Sequence, residues 1–492
     1  MDDVAPAGTC CLQGDFDVSH RRLRLLEQIV AADDAELLIK RDLPREVNHA
    51  LTAFLRDVTE AGCGVESGRI RDLTWHLSWL LSWGAPRRED RAITIKADRP
   101  AVVVPRLDRL LENAPVDARI IGTAETEYSR HPRGDSTTTS LLVSAARAAL
   151  ADAGIEPADV DGLGVSSFSL APDGAIDLAF RLGLSLRWLM DARTGGASAI
   201  DMLQHARRAV EAGDARMIVL LAGDRLDPPD FVRLVDEYNS ATRDHLAPIP
   251  TGGPNALFAM LTARHMAAHG LDRSVYGQIA LAQRAWAADN PNAAYRDSLT
   301  LAEYLDAPLV ADPLSIYDCV PLVAGADAIV VAATEGAKGV RIRAVRASYN
   351  HDHQDGDGYP TGLRTLRQAL WEQAGASPDD MDVVSVYDDY PVMTLVQLDD
   401  LGFARDGDLR RLVAERIATR TLALNTSGGQ LSAGQAGAAG GMHGLVEVVR
   451  QLRGEAGGRQ VAGARLGLVT GYGMVVYRHG ACANAVVLEA GA

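Results

Sequence analysis

The sequence predicts an α/β protein built from two similar halves, preceded by an extra N-terminal, mainly helical domain. Three observations carry this reading. From Ala118 onward, short β-rich apolar runs alternate with stretches of helical period, which is the pattern of repeated strand–helix units. Residues 151–165 (ADAGIEPADVDGLGV) lie over residues 372–386 (EQAGASPDDMDVVSV) without a gap, matching Ala153/Ala374, Gly154/Gly375, Pro157/Pro378, Asp159/Asp380, Asp161/Asp382 and Val165/Val386. Before about 112–118 the composition differs, with few β-branched runs between about 18 and 85.

Taken in order, His20 to Lys40 and Arg45 to Thr59 have apolar residues at helical spacing. In RDLTWHLSWLLSW, Trp75, Trp79 and Trp83 fall on one helical stripe and Leu73, Leu77, Leu80 and Leu81 on the adjoining face, so this helix is expected to be buried on two sides. Ala92 to Pro105 reads as one or two short strands. The expected domains are therefore 1–117, 118–340 and 341–492. Each repeat copy shares one local grammar: an apolar-striped helix (Leu141 to Ala153; Leu363 to Ala374), a Gly suited to a left-handed cap, a Pro that forbids helix continuation, then a strand. Each then runs through a second helix into an apolar strand, Ala199 to Ala212 into Met217 to Ala222 and His443 to Leu452 into Ala464 to Thr470.

Composition narrows the function. The 492 residues are 47% hydrophobic and 23% charged, as in soluble globular proteins, and the net charge of −16 repels a phosphate backbone, so nucleic acid is excluded as a partner. Five cysteines (Cys10, Cys11, Cys63, Cys319, Cys482) without a Cys-x-x-Cys pair point to a reducing cytoplasm and away from zinc. The acidic start Met1-Asp2-Asp3 lacks the basic residues expected of a signal peptide, and no apolar run reaches the roughly 20 residues of a membrane span. His351-Asp352-His353 with Asp355 and Asp357 is expected to be a solvated loop, and His265 and His269 to be structural; no metal site is expected.

The second half is more specific. VVSVYDDYPVMTLVQLDDLGF (383–403) and LNTSGGQLSAGQAGAAGGMHGLVEVVRQLRGEAGGRQV (424–461) resemble the C-terminal half of the thiolase superfamily, in its sterol-carrier-protein-x and lipid-transfer-protein branch. In the first half, RIIGTAETEYSRHPRGD (119–135), TGGASAIDMLQHARRAVEAGD (194–214) and ADPLSIYDCVPLVAGADAIVV (311–331) resemble that branch in the same order. The resemblance implies a duplicated, five-layered αβαβα thiolase fold and a homodimer. It also implies an acyl thioester substrate, with coenzyme A or phosphopantetheine as part of the substrate and no other cofactor. Such proteins are often paired with a small OB-fold, zinc-ribbon acyl-CoA-binding partner, which here would be a separate chain.

The reactive elements depart from the family pattern. The nucleophile loop reads Asp191-Ala192-Arg193-Thr194-Gly195-Gly196-Ala197-Ser198, with Arg193 or Thr194 where the family has its cysteine, and Ser198 reads as a packing residue. Asn-Glu-Ala-Phe, or His-Asp-Cys-Phe in this branch, is replaced by Tyr387-Asp388-Asp389-Tyr390. Gly-His-Pro is replaced by Gly434-Gln435-Ala436, and Cys-x-Gly by Val469-Thr470-Gly471-Tyr472-Gly473. Cys319 lies in a family element without a nucleophilic role and reads as a small buried hydrophobe.

A thiolase scaffold without its cysteine resembles the steroid side-chain aldolases of this branch, which use tyrosines as acid and base and carry Tyr-Asp at the element that here is Tyr387-Asp388. This chain keeps a longer loop with Gln435 where those aldolases shorten the loop and place a Tyr. The expected catalytic residues are Tyr387, Asp388, Gln435 and Tyr472, with Gln435 an oxyanion donor that does not titrate. Arg193, Thr194, Gly195, Asp389, Ser427, Gly428, Gly429 and His443 are expected to bind substrate, the glycines through close backbone approach beneath the thioester. Aldol or retro-aldol chemistry on an acyl thioester leads. A non-catalytic acyl-CoA- or lipid-binding or scaffolding subunit, and an acyltransferase with an unrecognised nucleophile, stand as alternatives.

Overall fold

The computed structural model describes residues 117–491 apart from 247, 250–251, 335–338, 352–358 and 476–479, together with three short strands nearer the N-terminus. Two compact units divide at Pro115/Val116. Within the first, Glu36–Leu38 pairs antiparallel with Thr94–Lys96, which pairs with Val102–Val103. This corrects the C-terminal end of the helix expected over His20 to Lys40: cross-strand backbone bonding overrides weak helical spacing in the run Leu37-Leu38-Ile39. The strands expected within Ala92 to Pro105 are present. The remaining expected helices of this unit, the tryptophan stripe, and Asp352, His353, Asp355 and Asp357 lie outside the described residues.

The second unit is organised by a nine-stranded sheet ordered Val383–Ser385, Leu466–Gly473, Cys482–Glu489, Val340–Tyr349, Ala118–Glu125, Gly325–Ala333, Met217–Asp224, Gly162–Ser166, Trp188–Asp191. The order is a palindrome about the junction of Ala118–Glu125 and Val340–Tyr349, which meet antiparallel at Val340↔Ile120 and Arg341↔Arg119. Trp188–Asp191 runs parallel to Gly162–Ser166 at one edge, and at the other a single parallel bridge, Val384↔Leu424, stands in its place.

The repeated sequence occupies equivalent positions in the two halves. Helix Thr138–Ala153 ends on Gly154 at φ 68° and helix Leu363–Ala374 on Gly375 at φ 56°, each followed by a 3-10 turn opened by its Pro (Pro157–Asp159; Pro378–Asp380) and then a strand. These two helices pack on the outside of their own half. Helices Ser198–Ala212 and Gly440–Arg453 pack against each other and against strands of both halves, forming the central layer. Side chains such as Ile200, Leu203, Met442, Leu445 and Val446 are fully buried in this layer, and the result is the five-layered αβαβα arrangement. Among the described residues, no helix is long and apolar enough to cross a membrane.

The central layer also carries charge. Glu447 is paired with Arg459 (2.8 Å, both almost fully buried) and accepts from Thr426 Oγ1 (2.7 Å) and Gln451 Nε2 (3.0 Å), which fixes the start of the loop at 425–429. His265 is buried and bonded through Nδ1 to the Tyr276 hydroxyl (2.8 Å), and burial pushes it down to about 3. Removing one partner of a buried ion pair strands the other charge. Arg459→Ala is therefore expected to destabilise the unit by about 3–5 kcal/mol in urea unfolding, whereas Arg411→Ala, which breaks an exposed pair with Glu415, leaves the transition in place.

Candidate active site

The site is built on the turn between strand Val383–Ser385 and helix Pro391–Leu401, and the sequence Tyr387-Asp388-Asp389-Tyr390 forms that turn. Its backbone is clamped from three elements: the loop at 425–429, helix Pro391–Leu401 and strand Leu466–Gly473. Asn425 accepts from Val386 N through Oδ1 (2.8 Å) and donates to Val386 O (3.2 Å), while Gln397 donates to Tyr387 O (2.6 Å) and Thr470 Oγ1 accepts from Tyr387 N (3.1 Å). Thr470 in turn donates to Gln397 Oε1 (2.6 Å), closing the circuit.

Tyr387 is buried, and its hydroxyl accepts from Gln435 Nε2 at 2.9 Å. The ring lies directly on Gly196, where an added Cβ would fall 2.2 Å from the ring and 2.4 Å from Tyr472 O; only glycine permits this approach. Burial, with the Asp389 charge adding to it, holds the Tyr387 phenol far above its ordinary value, and Tyr472 is held up in the same way. Both remain neutral donors. Gln435 is half-buried and is placed by its neighbours: Asp224 accepts from Ala438 N (2.8 Å) while also holding Ser167 and Ser169.

The two adjacent acids differ sharply. Asp388 accepts from Gln430 N (2.9 Å) and Leu431 N (3.3 Å), and its Oδ2 sits against Gly429, where a Cβ would clash at 2.1 Å. Burial pushes its carboxyl up to about 7 despite those bonds. Asp389 is also buried, yet its Oδ1 accepts no hydrogen bond among the described residues. Burial, with the neighbouring Asp388 adding to it, holds Asp389 well above the usual carboxylate range.

His443 falls in the first turn of helix Gly440–Arg453 and lines a small cavity with Tyr387 and Asp388. Its Nε2 meets Ser427 Oγ at 2.7 Å and its Nδ1 lies 3.0 Å from Glu125 Oε1. This Ser–His–Glu alignment resembles an activated serine, but the charges run the other way. Burial disfavours a charged imidazole, and Glu125 outweighs it, so His443 is raised above its usual value. Glu125 itself is held at about 2, because Arg450 and His443 overcome the effect of burial. The upward shift of His443 favours the protonated ring, which is a poorer acceptor for the serine proton, and the Glu125–His443–Ser427 chain anchors the loop to the first half. Glu125, Asp327 and His443 have ligand atoms within 4.8 Å of one another. Arg450 occupies Glu125 and the Tyr128 hydroxyl donates to Asp327 (2.8 Å), so the cluster fits an internal clamp rather than a metal site.

The loop at the expected nucleophile position is a polar knot. Thr194 donates to Asp201 (2.5 Å) and its N–H to Ser198 Oγ (3.0 Å), Gly195 sits at φ 60°, and Arg193 is exposed. Gly428, at φ 100°, packs on Ala287. Cys319 and Cys482 are pushed by burial up to about 12 and about 11, the opposite of an activated thiolate.

The structure thus brings Tyr387, Asp388, Asp389, Gln435, Tyr472, Ser427, Gly429 and His443 together. It also adds groups that the sequence did not single out. Tyr238 is half-buried, with its hydroxyl over Gly195, and is pushed by burial up to about 12. Glu125, Asn425 and Gln397 act through others. Asn425 and Glu125 lie inside quoted motifs; Tyr238 follows helix Pro228–Glu237, where no local signal points to the site.

Residues 344–484 match the thiolase C-terminal domain-like family. The chain is 32% identical over 379 residues to the 17-hydroxy-3-oxo-4-pregnene-20-carboxyl-CoA lyase of Mycobacterium tuberculosis, covering 72% of this chain and 95% of that protein. It is 31% identical to the steroid side-chain-cleaving aldolase of Thermomonospora curvata, covering 69% and 91%. The structure is similar to that of the Ltp2-ChsH2(DUF35) aldolase, with a TM-score of 0.65 and 27% identity over 76% of this chain and 98% of that chain. With its palindromic sheet and paired central helices, the chain belongs to the thiolase superfamily, among relatives that include steroid side-chain-cleaving aldolases and sterol carrier protein 2.

Proposed function

We propose that this protein makes or breaks a carbon–carbon bond β to an acyl thioester by an aldol or retro-aldol step, on a substrate carried by coenzyme A or phosphopantetheine, without an acyl-cysteine. The relatives named for lyase and aldolase activity support this reading. The observation that carries it is the 2.9 Å contact from Gln435 Nε2 to the Tyr387 hydroxyl, poised over Gly196 at the front of the buried helix Ser198–Ala212.

In the cleavage direction the β-hydroxyl loses its proton, its oxygen becomes a carbonyl, and the electron pair of the broken bond moves into the thioester as an enolate. The proton returns at the α carbon. Such a step needs a neutral donor aimed at the developing enolate oxygen in a dry site. Tyr387 is held neutral by burial. Because its oxygen accepts from Gln435, its own O–H is left to point elsewhere, and the accepted bond makes it a stronger acid.

Among the described residues Trp188–Asp191 is an edge strand of the sheet, and Ile176, Phe180 and Leu189 near it are exposed, Phe180 by 85%. An uncovered apolar edge of this kind is a pairing surface, which supports a homodimer joined there. The two-component naming of the Ltp2-ChsH2(DUF35) aldolase supports a separate partner chain, for which the family resemblance implies a small OB-fold, zinc-ribbon acyl-CoA-binding protein.

Tyr387→Phe and Gln435→Ala are each expected to lower turnover of a β-hydroxyacyl-CoA by about 10²–10³-fold, with affinity for an unreactive acyl-CoA nearly unchanged by titration calorimetry. A wild-type protein that binds the ester but releases no shortened acyl-CoA, with or without the partner, would establish the non-catalytic alternative. Light scattering after gel filtration is expected to give a dimer for the wild type and a monomer for Phe180→Glu with Leu189→Glu; a monomeric wild type rejects the edge-strand dimer.

A further inference from the structure

Asp388 and Asp389 occupy one turn and the same buried setting, but only Asp388 has its carboxylate oxygens matched by backbone donors from another element. Asp389 Oδ1 has no hydrogen-bond partner among the described residues, although only 8% of the residue is exposed; its electrostatic support comes from its own amide and that of Tyr390. Buried polar atoms are otherwise nearly always paired, so one left open in a functional site is an unfilled hydrogen-bonding position. The groups that share its field are phenols, Tyr238, Tyr387, Tyr390 and Tyr472.

Tyr390 is turned away, donating to Asn255 Oδ1 (2.6 Å) and stacked on Phe258 at 4.2 Å. Tyr238 and Tyr387 instead lie against Gly195 and Gly196, the turn that opens the central helix, whereas Tyr472 meets Gly196 only through its backbone carbonyl and turns its ring and hydroxyl toward Gly480. Asp389 follows Tyr387 and Asp388 in the turn, and the Tyr387 ring and the Tyr238 hydroxyl lie at the glycine turn. A ligand hydroxyl suits this position, since it can donate to the open carboxyl oxygen and accept from a phenol at once. An unsubstituted chain leaves the carboxyl unmatched, and a site with a buried unmatched polar group rejects the ligand that fails to fill it.

We propose that Asp389 is the anchor for a hydroxyl on the acyl chain, making the site selective for β-hydroxyacyl thioesters over their unsubstituted counterparts. This rests on the acyl-thioester reading above but not on turnover. Asp389 stands where the family pattern has Ala or Cys, so the selectivity belongs to this chain's own residue.

Binding of 3-hydroxydecanoyl-CoA and decanoyl-CoA to the full-length protein by titration calorimetry, with product analysis of the same samples, tests the assignment. The wild type is expected to prefer the hydroxy ester by at least about tenfold. Asp389→Ala is expected to erase that preference by weakening the hydroxy ester alone, and Asp389→Asn to retain part of it; unchanged binding of decanoyl-CoA reports that each variant is folded. Preference retained in Asp389→Ala, or equal loss of both esters in both variants, overturns the proposal. A wild type that discriminates but never cleaves leaves this anchor standing and removes the lyase reading. Cleavage by the wild type with discrimination intact in Asp389→Ala does the reverse.

Discussion

The clamp on the turn at 387–390 is the constraint from which the site follows. Asn425, Gln397 and Thr470 hold the backbone on both sides of Tyr387, so the ring has one place to go, onto Gly196. With the ring fixed there, Gln435 reaches the hydroxyl, Asp388 faces the amides of Gln430 and Leu431, and Asp389 Oδ1 is left without a hydrogen bond among the described residues. One local geometry thereby separates two chemically identical side chains into a positioning group and an open one, as environment rather than residue type decides the role of paired carboxyls.

The duplicated fold places these pieces at its seam. Strands from both halves pack on helices Ser198–Ala212 and Gly440–Arg453, so residues far apart in the chain meet in the central layer. Glu125 from the first half holds His443 from the second, and His443 holds Ser427 in the loop that supports Asp388. That network is largely buried and is balanced by Arg450, whose side chain is partly exposed. Breaking a member strands a charge, which ties the geometry of the site to the integrity of the interface between halves.

Much of this was legible in the sequence because it rests on local rules. The Gly154/Gly375 and Pro157/Pro378 junctions follow from backbone conformation alone, and the second helix and strand of each half follow from apolar period. The resemblance located Tyr387, Gln435, Tyr472 and the glycine loop. Three features needed coordinates. Which of Asp388 and Asp389 is paired depends on where the amides of Gln430 and Leu431 arrive, some forty residues later. Tyr238 enters from a segment outside every recognised motif. The upward shift of His443 comes from Glu125, more than three hundred residues away, and no pattern around 443 reports it. In the N-terminal unit, helical spacing over Leu37-Leu38 gave way to strand pairing that only a distant partner segment could supply.

The central claim is carbon–carbon bond chemistry on an acyl thioester with no covalent acyl-enzyme. Its most direct test is mass spectrometry of the intact protein and of the small molecules in one reaction, quenched during turnover of β-hydroxyacyl-, β-ketoacyl- and steroid-type CoA esters with and without a separate acyl-CoA-binding partner. The account predicts a shortened or lengthened CoA ester and a protein at its unmodified mass throughout. An acyl adduct on Cys482, Cys319, Ser427 or any other side chain that forms and decays at the turnover rate would contradict it.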